Sequence, residues 1–163
     1  MNLSKLFIRI LFVIVLLLVV LFFIRFLSPI HLDDVSPAIQ CDDDLLRKSD
    51  IFYVIPKFES VNISQDIEWC NKILSYNKTL ALHGVYHTYK EFNFDRNETY
   101  LISGEDDFEK CFGFYPERFK APQISLSKNN KRLLVQREYK VDSFFGDIFH
   151  KVYHCEDQGY FRN

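Results

Sequence analysis

The chain has 163 residues, is 48% hydrophobic and 17% aromatic, and carries 20 Lys and Arg against 22 Asp and Glu. The basic residues are interspersed with acidic ones, so there is none of the basic patch or stripe that a nucleic-acid surface needs, and no such partner is expected. No internal repeat or low-complexity tract is visible.

From Leu6 to Leu27 the sequence is almost wholly apolar, with Arg9 and Arg25 near its ends and no polar side chain between Ile10 and Ile24. About 20 such residues span the hydrocarbon core as a helix, and arginines near the ends can extend to the interface. A core helix would show a polar face, which this segment lacks. The exit, Phe26-Leu-Ser-Pro-Ile30, has no small-residue cleavage site. The segment therefore reads as an uncleaved signal-anchor over residues 6–27, with a cleaved signal peptide as the alternative. Lys5 and Arg9 precede the span, and acidic residues follow Arg25. That asymmetry makes residues 1–5 a cytoplasmic tail and residues 28–163 a single lumenal or extracellular domain of a single-pass membrane protein.

Two features of residues 28–163 agree. Three glycosylation sequons, at Asn62, Asn77 and Asn97, lie after the span. So do all four cysteines, Cys41, Cys70, Cys111 and Cys155, where oxidation is permitted. Three full pairings are possible and spacing does not choose among them; buried free thiols are the alternative.

In chain order, Asp50–Pro56 is an apolar, β-branched and aromatic run closed by proline, which reads as a buried strand. Ser64 is a good N-cap, and Ile67, Cys70, Ile73 and Leu74 recur at helical spacing as far as Tyr76. Thr79–Leu82 is a short strand running into His83-Gly84. Gly104–Phe112 reads as an amphipathic helix with Phe108, Cys111 and Phe112 on one side and Gly113 as its C-cap. Arg118–Pro122, Arg132–Tyr139 and Lys151–Cys155 are the remaining predicted strands. Strands alternating with helices predict an α/β domain with a parallel sheet. Chemistry in such folds sits at the carboxyl ends of strands, where Asp33-Asp34, His83–His87 and Pro122 all fall.

Those residues are the chemically informative ones. Asp33 and Asp34 are adjacent carboxylates, and His83 and His87 are four residues apart. A divalent transition metal accepts imidazole nitrogens and a carboxylate oxygen while leaving a position for water. The second carboxylate is then available as a general base. Each half is weak alone: an Asp-Asp pair before Ser-Pro also suits a turn, and most isolated His pairs at this spacing are surface or core residues.

Together the residues resemble a family, the NodB-type polysaccharide deacetylases, in their divergent deacetylase-like branch. Leu32-Asp33-Asp34-Val35-Ser36-Pro37 is similar to that family's first motif. His83-Gly84-Val85-Tyr86-His87 is similar to its His-Ser/Thr-x-x-His motif, with glycine replacing the hydroxyl residue. Phe119-Lys120-Ala121-Pro122-Gln123 is similar to its Phe-Arg-x-Pro-Tyr/Phe motif. Gly104 to Pro116 resembles the helix and loop that precede that strand.

The resemblance implies a distorted (β/α) barrel that removes N- or O-acetyl groups from carbohydrate polymers. It implies Asp33 as catalytic base, and Asp34, His83 and His87 as ligands of a divalent metal, zinc above others. Lys120 stands where the family has an arginine, and with Pro122 it would lie against substrate. His154, with His150 behind it, is the candidate general acid. Because Asn163 ends the sequence soon after His154, the barrel is expected to be incomplete, lacking its last strand or two. The alternative is a catalytically inactive, carbohydrate-binding membrane glycoprotein on the same fold.

Overall fold

The computed structural model describes residues 3–142, 146 and 149–157. Helix α1 (Leu3–Leu27) contains a 22-residue segment, Leu6–Leu27, of mean hydropathy 3.4 with none of it buried. At 1.5 Å per residue it is about 33 Å long, enough to cross a bilayer by length and composition. Ser28 and Pro29 alone separate it from the first strand.

The domain is built on six parallel strands: β1 (Ile30–Val35), β2 (Ile51–Val54), β5 (Thr79–His83), β6 (Arg118–Lys120), β7 (Lys140–Val141) and β8 (Lys151–His154). Their spatial order is β7-β6-β5-β2-β1-β8. A small antiparallel hairpin, β3 (Lys57–Phe58) with β4 (Val61–Asn62), follows β2. Helices α2 (Asp43–Lys48), α3 (Ile67–Ser75), α4 (Glu98–Phe112) and α5 (Lys128–Gln136) lie between successive strands.

Period-2 alternation divides the strand residues between two faces. Leu32, Phe52, Val54, Leu80, Leu82 and Phe119 belong to the main core, shared with Leu45, Leu46, Ile73, Leu101, Phe108 and Leu134 from the helices. Ile51, Tyr53 and Ala81 form a small separate cluster on the other face. On that second face Tyr53 also meets His31, His83 and Lys120. The sheet thus has one apolar face and one face rich in ionisable groups.

Three boundaries differ from the sequence expectation. Asp66, not Ser64, caps α3, its carboxylate accepting from Trp69 N–H at 2.9 Å; the Ser64 hydroxyl instead donates to Asp107. Helix α4 begins at Glu98, not Gly104, because Asn97 caps it by accepting from Tyr100 N–H at 2.9 Å. Gly104 is interior to it, and a Cβ there would press on Val85, so the glycine permits close approach of helix and loop. Gly113 ends the helix in the left-handed region, φ +82°, as predicted. Finally, the strand expected over Arg132–Tyr139 is absent: Leu133-Leu134-Val135 belongs to α5, whose buried residues Asn130 and Leu134 are four apart, and only Lys140–Val141 pairs as a strand.

Both disulfides cross between elements. Cys41–Cys155 joins the loop after β1 to the residue after β8, with Cα atoms 4.4 Å apart. Cys70–Cys111 joins α3 to α4, with Cα atoms 5.4 Å apart.

Strand β8 pairs directly with β1, so the barrel is interrupted between β7 and β8 rather than after its last strand. Nine residues, 142–150, make that connection. They can reach about 30 Å when extended, against about 24 Å for the five strand spacings between the two edges. The first and last residues of the connection lie against the polar face: the Tyr53 hydroxyl donates to Asp142 at 2.7 Å, and the His150 ring stacks on His31 at 4.4 Å.

Candidate metal centre

An open cavity of about 280 Å³ lies at the carboxyl ends of β1, β5 and β6, lined in part by Asp33, Asp34, His83, His87, Lys120 and His154. Sequence analysis named all six. Side chains of adjacent strand residues normally point to opposite faces, yet both aspartates line this one cavity. The cause is local. The β1–β2 register shifts between Leu32 and Val35, and Asp34 sits at φ +63°. This bulge turns both carboxylates to the same side.

His83 ends β5 and is buried, and Gly84 (φ +67°) turns the chain immediately after it. No helix follows; His87 reaches back from a loop in its own left-handed conformation, φ +57°. Asp34 Oδ1 lies 3.0 Å from His87 Nε2 and 3.4 Å from His83 Nε2. One ligand atom from each of the three residues falls within 4.8 Å of the others.

The hydrogen bonding of His83 indicates what suits this cluster. Its Nδ1 is 3.0 Å from the Lys120 carbonyl, an acceptor only, so the ring proton is on Nδ1. In the neutral ring Nε2 then presents a lone pair toward the Asp34 carboxylate. Two electron-rich groups facing each other fit a shared cation, and an Nδ1–H bonded to a carbonyl is the usual support of a metal-binding imidazole. Burial alone would raise the Asp34 pKa; with both imidazoles protonated instead, their hydrogen bonds and charge would hold it well below the carboxylate range, so a bound cation and the two ring protons compete for the same carboxylate.

Beside this cluster the buried Asp33 Oδ2 pairs with the buried Lys120 Nζ at 2.7 Å. The other oxygen, Asp33 Oδ1, is buried with no hydrogen-bond donor among the described residues. Lys120 Nζ also lies 5.1 Å from the Tyr53 ring centre, a contact favourable to a desolvated cation. His154 stands opposite Asp33 in the β1–β8 ladder, its Nε2 3.9 Å from Asp33 Oδ2 and its side chain half exposed. Cys155 N–H donates to the Asp33 carbonyl at 3.2 Å, so the disulfide-linked residue fixes the strand that carries His154.

Pro122 is buried against Gly84, while its neighbours Ala121, Gln123 and Ile124 line the cavity. Asn77 and Asn97 are exposed and Asn62 is half-buried. Two residues that sequence analysis missed hold the loop that carries His87. The Glu91 carboxylate accepts backbone N–H groups from Val85, Tyr86 and His87. Asn130, also buried, donates to the Phe92 and Phe94 carbonyls at 2.7 and 2.8 Å. Neither belongs to a motif; the only sequence signal is that Glu91 stands beside Phe92 and Phe94, and Asn130, in a polar run, has none.

No protein-family model and no curated protein sequence matches the chain. Solved structures do. A family 4 carbohydrate esterase from Streptomyces lividans, in complex with acetate, superposes with TM-score 0.55 at 11% identity over 70% of this chain and 60% of its own. The chitin deacetylase of the fungal pathogen Colletotrichum lindemuthianum superposes with TM-score 0.52 at 17% identity over 71% and 55%. A family 4 pseudoenzyme from Bacillus anthracis gives 0.52 at 10% identity over 71% and 42%. The chain has the polysaccharide deacetylase fold, and it spans 60% or less of the length of these three structures.

Proposed function

We propose that the chain is a membrane-anchored, metal-dependent deacetylase-like hydrolase that removes acetyl groups from a carbohydrate polymer or glycan. In this reading residues 6–27 span the membrane with the N-terminus cytoplasmic, and the domain is lumenal or extracellular. One observation carries it: Asp34, His83 and His87 converge beside a second, separately held carboxylate, Asp33, in one open cavity.

Asp34, His83 and His87 would hold a divalent ion, zinc by the nitrogen-and-oxygen character of the set. Such an ion, when bound, polarises an acetyl carbonyl and acidifies water. Asp33 would take the proton of the attacking water, and its ion pair with Lys120 orients it for that purpose. Lysine supplies the charge but not the two-pronged geometry of arginine, so Lys120 holds Asp33 through one oxygen, Oδ2, at 2.7 Å. His154 is close enough to the same carboxylate to return a proton to the leaving amine or alkoxide. The exposed Gln123 and the half-buried Ile124 form part of the rim against which a sugar chain would lie.

The second reading, a non-catalytic carbohydrate-binding membrane glycoprotein, is favoured by the interrupted barrel wall between β7 and β8. One experiment separates the two. Full chain purified in detergent is assayed for bound metal and for acetate release from acetylated chitin, xylan and peptidoglycan fragments. Stoichiometric metal lost in His83→Ala, with acetate release lost in Asp33→Asn, supports the hydrolase. Metal and glycan binding without acetate release support the second reading, and a chain without metal removes the first.

A further inference from the structure

Glu91 has no part in the chemistry described above, yet it is completely buried beneath the ligand loop. Its Oε1 accepts from Val85 N–H at 3.0 Å, Tyr86 N–H at 2.9 Å and the Tyr100 hydroxyl at 2.6 Å. Its Oε2 accepts from His87 N–H at 3.0 Å. Three consecutive backbone N–H groups converging on one carboxylate form an anion-holding nest, and here the anion is a side chain of the same loop.

The space matters as much as the bonds. A Cβ added to Gly84 would overlap Glu91 Oε2 and press on the Pro122 ring. The volume that a side chain at position 84 would occupy is therefore filled by the Glu91 carboxylate. His87 is in the left-handed region at φ +57°, which a non-glycine residue holds only when its surroundings enforce it. The hydrogen bond from His87 N–H to Glu91 holds the backbone of that residue in place.

We propose that Glu91, paired with Gly84, is the positioning residue of the metal-binding loop, setting the separation of His83 and His87. It acts through these ligands and touches no substrate. The inference rests on the metal-binding reading above and adds to it the residue on which ligand geometry depends.

The test uses full chain in detergent, with zinc affinity measured by competition against a chromophoric chelator. The visible spectrum of the cobalt-substituted protein reports ligand geometry independently of turnover. Wild type binds one equivalent, and Glu91→Gln binds roughly 10- to 100-fold more weakly with an altered cobalt spectrum, as expected for loss of an outer support. Tyr100→Phe removes one of the bonds to Glu91, and a weaker shift in the same direction is expected; it stands in should Glu91→Gln not fold. Glu105→Gln damages a comparable buried carboxylate, held by Arg137 and Tyr139 outside the loop, and leaves affinity and spectrum unchanged. Unchanged affinity and spectrum in folded Glu91→Gln, or an equal loss in Glu105→Gln, overturns the positioning role alone. A wild-type chain that binds no metal overturns this role and the metal-dependent reading together.

Discussion

Removing the Cys41–Cys155 disulfide tests whether the last strand is held by the chain's longest covalent loop. The two cysteines are 114 residues apart, against 41 for Cys70–Cys111. The loop-closure relation gives about 4.8 kcal/mol of stabilisation for the first loop and about 3.9 for the second at 25 °C. Removing a native cross-link typically costs about 2–5 kcal/mol, so a loss of about 3 kcal/mol or more is expected for the Cys41→Ala/Cys155→Ala double variant, with a smaller loss for Cys70→Ala/Cys111→Ala. Unfolding of the full chain in detergent by guanidinium can be followed by the fluorescence of the single tryptophan, Trp69, which packs on Phe112. Hydrogen exchange adds a local reading, because among the described residues β8 pairs only with β1 and should lose protection at Lys151–His154 first. Unchanged unfolding midpoints, or unaltered protection in β8, would refute the idea that this cross-link holds His154 opposite Asp33.

Other outcomes follow from buried charge and backbone. Lys120→Met strands the Asp33 carboxylate without its counter-ion and is expected to cost about 3–5 kcal/mol in the same unfolding assay. Gly84→Ala meets both an unfavourable φ of +67° and the Glu91 carboxylate, and is expected to lose zinc binding and to lower the melting temperature more than Gly113→Ala, where the space is open. Burial, reinforced by His150 and Lys120, lowers the His31 pKa from 6.5 to about 4. Between those values the unfolded chain binds a proton that the folded chain refuses. The stabilisation is complete above pH 6.5 and falls by up to about 3 kcal/mol as pH drops to 4. A His31→Phe variant should show a shallower acid dependence of its unfolding free energy over that range. Asn97→Ala removes the α4 cap and should cost about 1 kcal/mol, read as a lower unfolding midpoint.

Much of the site was legible because its residue types are chemically unusual in an apolar setting. Asp33, Asp34, His83 and His87 stand at ends of runs that bury, and strand-end placement follows from alternating strands and helices. The bulge at Asp34 was not legible, since the pattern of β1 is compatible with one aspartate facing away from the cavity. Nor was Glu91, because a buried carboxylate satisfied by backbone N–H groups depends on loop geometry that no local spacing encodes. The α5 misreading has a different origin. Leu133, Leu134 and Val135 are consecutive apolar residues, which suit a short buried strand and a helix equally, and the arbiter was the Asn130–Leu134 face that packs inward. The interruption between β7 and β8 was foreseen as a deficit at the end of the barrel, since the sequence shows how many strands follow but not which neighbour the last one chooses.

The two-residue Ser28-Pro29 junction fixes the reach of the cavity. With α1 in a bilayer, as proposed, two junction residues and the four steps from Ile30 to Asp34 would put the Asp34 carboxylate at most roughly 20 Å from the point where the helix emerges. Arg25 and Lys151 brace that junction through bonds to the carbonyls of His150 and Phe26. On the proposed membrane-anchored reading, a tether this short would work at a set height: only glycan segments passing through one thin layer above the membrane would reach the cavity, whatever their length beyond it.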